Sequence, residues 1–171
     1  MKHDSKKQIP LLFALALTVF LCACGASGGN ATRSLQLGGS SFYVTIPSSF
    51  KEDVMSLEEI ADDQVGRYNS DESKLSFDVY QFSKEGYPDA LVDFITQEAE
   101  EYDASEVVTD AYINGVAVGC YRAVEERDEA PYDTITYAFE NGKEYVEIVF
   151  WLDGEQSASE AADIINSLME R

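Results

Sequence analysis

Histidine is nearly missing from this chain of 171 residues: its one copy is His3. That removes His-assisted serine or cysteine catalysis, histidine metal ligands and the usual physiological pH switch from everything downstream. Carboxylate chemistry is left open. Cysteine is also scarce, with Cys22, Cys24 and Cys120 alone, so no disulfide framework can be drawn. Basic residues are few: 12 Lys and Arg stand against 32 Asp and Glu, a formal net charge of −20. Such a balance is hostile to nucleic acid, whose binding needs cations against phosphates. Short catalytic signatures are absent as well, including S-x-x-K and G-x-S-x-G. No D-x-D-x-D-G loop offers a calcium cradle. No glycine-rich phosphate loop appears, and Gly38-Gly39 reads as a hairpin turn.

The longest apolar run, Ile9 to Ala23, is shorter than the roughly 20 residues a spanning helix wants. Pro10 and the small, polar stretch from Gly25 to Arg33 also argue against a stop-transfer helix. With Lys2, Lys6 and Lys7 ahead of it, the run has the plan of an export signal. Its end, Leu21-Cys-Ala-Cys24, resembles the lipobox of bacterial lipoproteins. Leu21 stands three before Cys24 and small Ala23 just before it, while Cys22 follows bulky Leu21 and is the poorer acceptor. The resemblance implies a signal peptide over residues 1–23 and a diacylglyceryl group on the Cys24 thiol, whose two chains anchor durably. It also implies an extracytoplasmic domain held at the cell membrane.

Removing residues 1–23 leaves 148, with nine basic and 31 acidic side chains and a formal net charge of −22. That length suits one domain with a real core. Its acidity fits solubility outside the cell and repels an anionic lipid surface. Cys120, in the strand-like run Val116 to Tyr121, reads as a small buried hydrophobe.

Residues 24–34 are a Gly, Ala, Ser, Asn and Thr tether, and residues 35–171 one globular domain. Leu35–Leu37 and Phe42–Ile46 read as strands about a glycine turn, with Pro47 closing the second. Ser49 to Asp63 reads as a loop with a helical turn. Strands follow over Val65–Tyr68 and Lys74–Phe82, where Leu75, Phe77 and Val79 alternate with Ser76, Asp78 and Tyr80. Pro88 is placed to open a helix whose stripe is Leu91, Ile95, Ala99 and Tyr102, widened by Phe94. Asn114-Gly115 and Asn141-Gly142 each predict a hairpin with a type I′ turn. Glu125 to Tyr132, with Pro131, reads as a charged connection. Tyr145 to Leu152 is apolar on both faces, the mark of a central strand. Ser157 and Glu160 make a capping-box pattern, followed by a stripe of Ala161, Ile164, Ile165, Leu168 and Met169.

These elements predict an α+β fold, an antiparallel β-sheet flanked by helices. Their order over residues 35–170 resembles the PsbP-like α/β/α sandwich of the photosystem II extrinsic subunit. That fold is shared with a nuclear Ran-binding factor and many small bacterial lipoproteins. The resemblance implies accessory or binding roles, no single activity, and no functional residues to carry over.

Candidate chemistry is sparse, and no catalytic, cofactor-binding or metal-ligating residue is assigned. Glu98, Glu100, Glu101 and Asp103 crowd one helix end and read as a solvated face. Asp62-Asp63 and Asp71-Glu72 sit in loops. Tyr43, Tyr80, Tyr145 and Trp151 share the less aliphatic strand face. They are core if a helix covers it, and a ligand surface of Tyr43, Tyr80 and Tyr145 if part stays open. The expectation is a lipid-anchored interaction or ligand-binding module without catalysis, with the membrane and an envelope protein as partners. It entails an aromatic or acidic groove and no paired, buried carboxylates. A carboxylate-dependent hydrolase of cell-envelope polymer entails two facing acids in a cleft, one with a raised pKa. A cation-binding accessory protein entails acidic oxygens converging on one point.

Overall fold

The computed structural model describes residues 31–56, 63–127 and 129–171. The expected signal segment, the lipobox-like Leu21–Cys24 and most of the expected tether lie outside them. So does the middle of the Ser49–Asp63 loop.

Among the described residues, ten strands and two helices follow in order: β1 (Thr32–Gln36), β2 (Phe42–Pro47), β3 (Lys51–Glu52), β4 (Gln64–Ser70), β5 (Leu75–Ser83), α1 (Leu91–Glu101), β6 (Ser105–Ile113), β7 (Val116–Arg127), β8 (Ala130–Asn141), β9 (Glu144–Leu152), α2 (Glu155–Asn166) and β10 (Met169–Glu170). Seven strands form one sheet in the order β3-β4-β5-β9-β8-β7-β6, with every pair antiparallel. A small antiparallel sheet, β1-β2-β10, lies in the layer with α2. The α+β class read from the pattern is the one observed.

The large sheet is covered on both faces. On one, Phe77, Val79, Ile148 and Phe150 pack against Leu35, Phe42, Ile46, Ile164 and Leu168. On the other, Tyr145, Tyr121 and Ala138 pack against Phe94, Ile95 and Ala99 of α1. β9 is the middle strand of seven and is buried from Tyr145 to Leu152, which explains its apolar character on both faces.

Several boundaries differ from the sequence reading. β1 starts at Thr32, inside the expected tether, because Thr32 to Leu35 pair with Pro47 to Val44. Pro88 precedes α1 rather than opening it. The helix starts at Leu91, whose N–H donates to Glu140 Oε1 at 3.1 Å, a cap supplied by β8. The expected connection around Pro131 is strand: β7 and β8 run on to an Arg127–Ala130 pair. Pro131 is tolerated there because β9 stops pairing at Asp133, leaving β8 only β7 as neighbour.

Ser157 is not an N-cap. It lies inside α2, where its Oγ accepts from Asp153 N–H (2.7 Å) and donates to Gly154 O (2.8 Å). The closing stripe leaves the helix after Asn166, and Met169-Glu170 pair with β2 instead. Cys120 is half-buried rather than buried.

The two Asn-Gly signals resolve differently. Asn114 and Gly115 both have positive φ (50° and 88°), as a type I′ turn requires. At the second hairpin Asn141 pairs with Glu144, so the loop is Gly142-Lys143 and only Gly142 has positive φ (66°). That is the type II′ pattern, with glycine first.

Candidate functional site

The candidate site is a cavity of about 260 Å³ between α1 and the sheet face opposite the aliphatic core. Strand alternation builds its floor. β9 sends Tyr145, Glu147, Val149 and Trp151 to this face, and β5 sends Asp78, Tyr80 and Phe82. β7 adds Tyr121 and Glu125, and β8 adds Thr136.

α1 forms one wall and is fixed closely. A side chain at Gly119 of β7 would collide with Ile95, so the helix seats directly on that strand. The helix ends in a Schellman-type turn: Asp103 takes a left-handed φ of 49°, and Ala104 N–H donates to Ala99 O at 2.8 Å. This holds Tyr102 at the rim, its ring stacked on Tyr121 at 6.0 Å. The other end is sealed by aromatic packing. Phe94 stacks on Tyr145 at 4.0 Å, and Tyr145 Oη donates to Pro88 O at 2.6 Å.

Four carboxylates line the cavity: Asp63 from the loop before β4, Glu98 from α1, Glu125 from β7 and Glu147 from β9. Glu147 is only 7% exposed, and its Oε1 has no hydrogen-bond partner. Burial, reinforced by the charges of Glu98 and Glu125, pushes its carboxyl up to about 8. Burial, then Glu101, raises Glu98. Burial also raises Glu125, against the lowering effect of a hydrogen bond from Thr134 (2.7 Å to Oε1), with the Asp78 charge adding to the rise. The phenol of Tyr102 is pushed to about 12 by burial and the surrounding glutamates. No lysine or arginine lines the cavity among the described residues.

Beside the cavity, on the same sheet face, Asp78 is fully buried. It accepts from Arg67 Nε (2.8 Å) and Nη2 (3.3 Å) and from Trp151 Nε1 (3.0 Å). This fixes the indole that forms one edge of the cavity.

The three tyrosines expected to share a surface are separated. Tyr80 lines the cavity. Tyr145 is fully buried beside it, as core. Tyr43 is on the small sheet, where Arg171 lies over its ring at 4.9 Å, in the layer across the large sheet from the cavity. Glu98 is not part of a solvated face, being 9% exposed on the buried side of α1. Sequence reasoning missed Glu147, Glu125 and Tyr121. For Glu147 a signal existed: it is the one charge inside Tyr145–Leu152, a strand apolar on both faces. Buried, paired carboxylates were not expected of a binding module, and here aromatic walls and buried acids occur together. Among the described residues no group of three or more acids, cysteines or histidines is placed to hold a metal ion.

No family model matches the chain, and no curated protein matches it. Solved structures do. Cyanobacterial PsbP from Synechocystis superposes with a TM-score of 0.55 at 10% identity, over 88% of this chain and 99% of that one. A Bacteroides thetaiotaomicron crystal structure superposes with a TM-score of 0.52 at 20% identity, over 80% of this chain and 49% of that one, so the match spans about half the length of that protein. The fold is therefore PsbP-like, and at these identities the likeness speaks for fold alone.

Proposed function

We propose that this chain is a lipid-anchored, extracytoplasmic module that binds a small ligand in the cavity between α1 and the large sheet, without catalysis. One observation carries the binding role: Glu147 is buried at the cavity with Oε1 unpartnered. A buried carboxyl oxygen without a partner costs stability, and a ligand group that pairs with it offsets that cost. Aromatic walls with a few polar groups are the usual make-up of small-ligand pockets, and this volume lies just below their usual range, which suits a small ligand.

The acids speak against catalysis. Two-carboxylate hydrolysis needs one group held protonated and another held ionised, by environments that separate their pKa values. Here burial raises Glu98, Glu125 and Glu147 alike, so the surroundings hold none of the three below the ordinary carboxylate value. The anchor rests on the lipobox at Leu21 to Cys24.

A second reading, a hydrolase of cell-envelope polymer, draws on Glu147 as a buried acid. An envelope-protein partner would draw instead on half-exposed Tyr87 and Tyr102 at the rim.

Native mass spectrometry of the full chain, purified gently from producing cells, tests the reading. The expected result is a small-molecule adduct that disappears in Val149→Phe, which fills the cavity. A chain without adduct, or turnover of envelope polymer abolished by Glu147→Gln, would overturn it.

A further inference from the structure

We infer that the ligand of this cavity is a small organic ammonium ion, held by Glu147 and boxed by aromatic rings. The inference rests on the binding role proposed above and adds the ligand's chemical class.

Charge comes first. Asp63, Glu98, Glu125 and Glu147 line the space from a loop, α1, β7 and β9, with no lysine or arginine among the described lining residues. An anionic ligand would meet repulsion from every side, and the whole chain adds to that field with its net charge of −20. Glu147 Oε1 is unpartnered, and the residue is more than nine-tenths buried, so a cation bearing N–H or polarised C–H groups finds an acceptor already in place.

The walls decide between an organic cation and a metal ion. Hard metal ions need several oxygens converging at short range, and the described acids are not so placed. Apart from Thr136 and Val149, the remaining lining is aromatic: Tyr80, Phe82, Tyr87, Tyr102, Tyr121 and Trp151. Aromatic faces attract ammonium groups through the ring quadrupole and solvate their carbon atoms, which they do poorly for a hydrated metal ion.

Proton linkage supports the same assignment. The groups facing Glu147 are Glu98 of α1, Tyr102 just past its end, Glu125 and Tyr121 of β7, Thr136 of β8, Tyr80 and Phe82 of β5, and Asp63 and Tyr87 from loops. None is a cation, and burial with the Glu98 and Glu125 charges pushes the Glu147 carboxyl up to about 8, so without a cationic partner it favours its proton at neutral pH. A bound ammonium displaces that proton to solvent and pairs with the carboxylate.

The test uses the full chain in a non-ionic detergent and Trp151, the only tryptophan, as a reporter inside the cavity. Choline and putrescine are titrated against 3,3-dimethyl-1-butanol (the neutral counterpart of choline), Ca²⁺ and N-acetylglucosamine. The expected result is a saturable fluorescence change with choline or putrescine below about 1 mM, and none with the neutral alcohol. Glu147→Gln should weaken binding at least about tenfold, and Glu98→Gln more mildly. If choline binds, its affinity should rise about tenfold per pH unit towards pH 8 and then level, because choline itself does not titrate. Equal binding of the neutral alcohol, unchanged affinity in both variants, or no response to either organic cation would overturn the assignment. A response to N-acetylglucosamine alone would overturn it while leaving the binding role standing.

Discussion

Replacing Glu147 by glutamine should make the protein more stable, and increasingly so as pH rises. In the folded chain the carboxyl is pushed from an ordinary 4.5 up to about 8 by burial and by the nearby Glu98 and Glu125 charges. Unfolding exposes it to water and returns its ordinary value. Between those two pH values the native state holds a proton that the unfolded state releases. Stability from this group is therefore whole below about pH 4.5, falls as pH rises, and is fully lost above about pH 8. The separation corresponds to about 5 kcal/mol across the window, at about 1.4 kcal/mol per pH unit.

Glutamine keeps the shape and has no proton to lose. The stability gap between variant and wild type should thus widen by about 3 kcal/mol from pH 5 to pH 7. At roughly 3 °C for each kcal/mol in a chain of this size, the melting temperatures should diverge by about 9 °C. Thermal melts followed by circular dichroism at half-unit pH steps measure this directly. Glu98 and Glu125 contribute a slope of the same sign to both proteins, so only the difference is diagnostic. Parallel melting curves from pH 5 to pH 8 would refute the reasoning, since they would mean that Glu147 ionises normally in the fold.

Three further perturbations address other parts of the structure. Asp78→Ala strips Arg67 and the Trp151 indole of a buried acceptor and should cost about 3–5 kcal/mol in urea unfolding; a loss under about 1 kcal/mol would show that the cluster is exposed to water in solution. Gly119→Ala forces Ile95 away from β7 and should cost about 1–3 kcal/mol, with a shifted Trp151 emission as the α1 wall moves; an unchanged melt would mean that α1 is not seated on that strand. Cys24→Ser should release the chain from membranes and abolish incorporation of labelled palmitate in producing cells, whereas labelling that persists would remove the anchor assignment.

The parts of the fold legible in the sequence were those with local causes. Alternation in Leu75–Val79 and the unbroken apolar run of Tyr145–Leu152 place β5 and β9 because burial on one face or two leaves a period of two or none. Asn114-Gly115 marks its turn because two consecutive positive φ values exclude most residues. What escaped has distant causes. Pro131 sits in a strand because β9 ends nearby, which no window around the proline can show. Met169-Glu170 become a strand because β2 has a free edge more than 120 residues earlier in the chain. Glu98 is buried and Glu100 exposed by the turn of one helix, but only the position of β9 tells which face has a cavity beneath it.

The layer order gives the molecule two ends. The chain enters its fold at Thr32, on the edge of the small sheet, while the cavity opens on the opposite face of the large sheet. In a chain anchored at Cys24, residues 24–32 span at most about 28 Å, so the small-sheet side stays leashed near the lipid. With that side held at the lipid, the face carrying the cavity would lie away from it. Aqueous iodide should quench Trp151 more than brominated lipid does, and the reverse would invert the orientation. A site presented in this way samples solutes arriving from outside, not molecules partitioned into the bilayer.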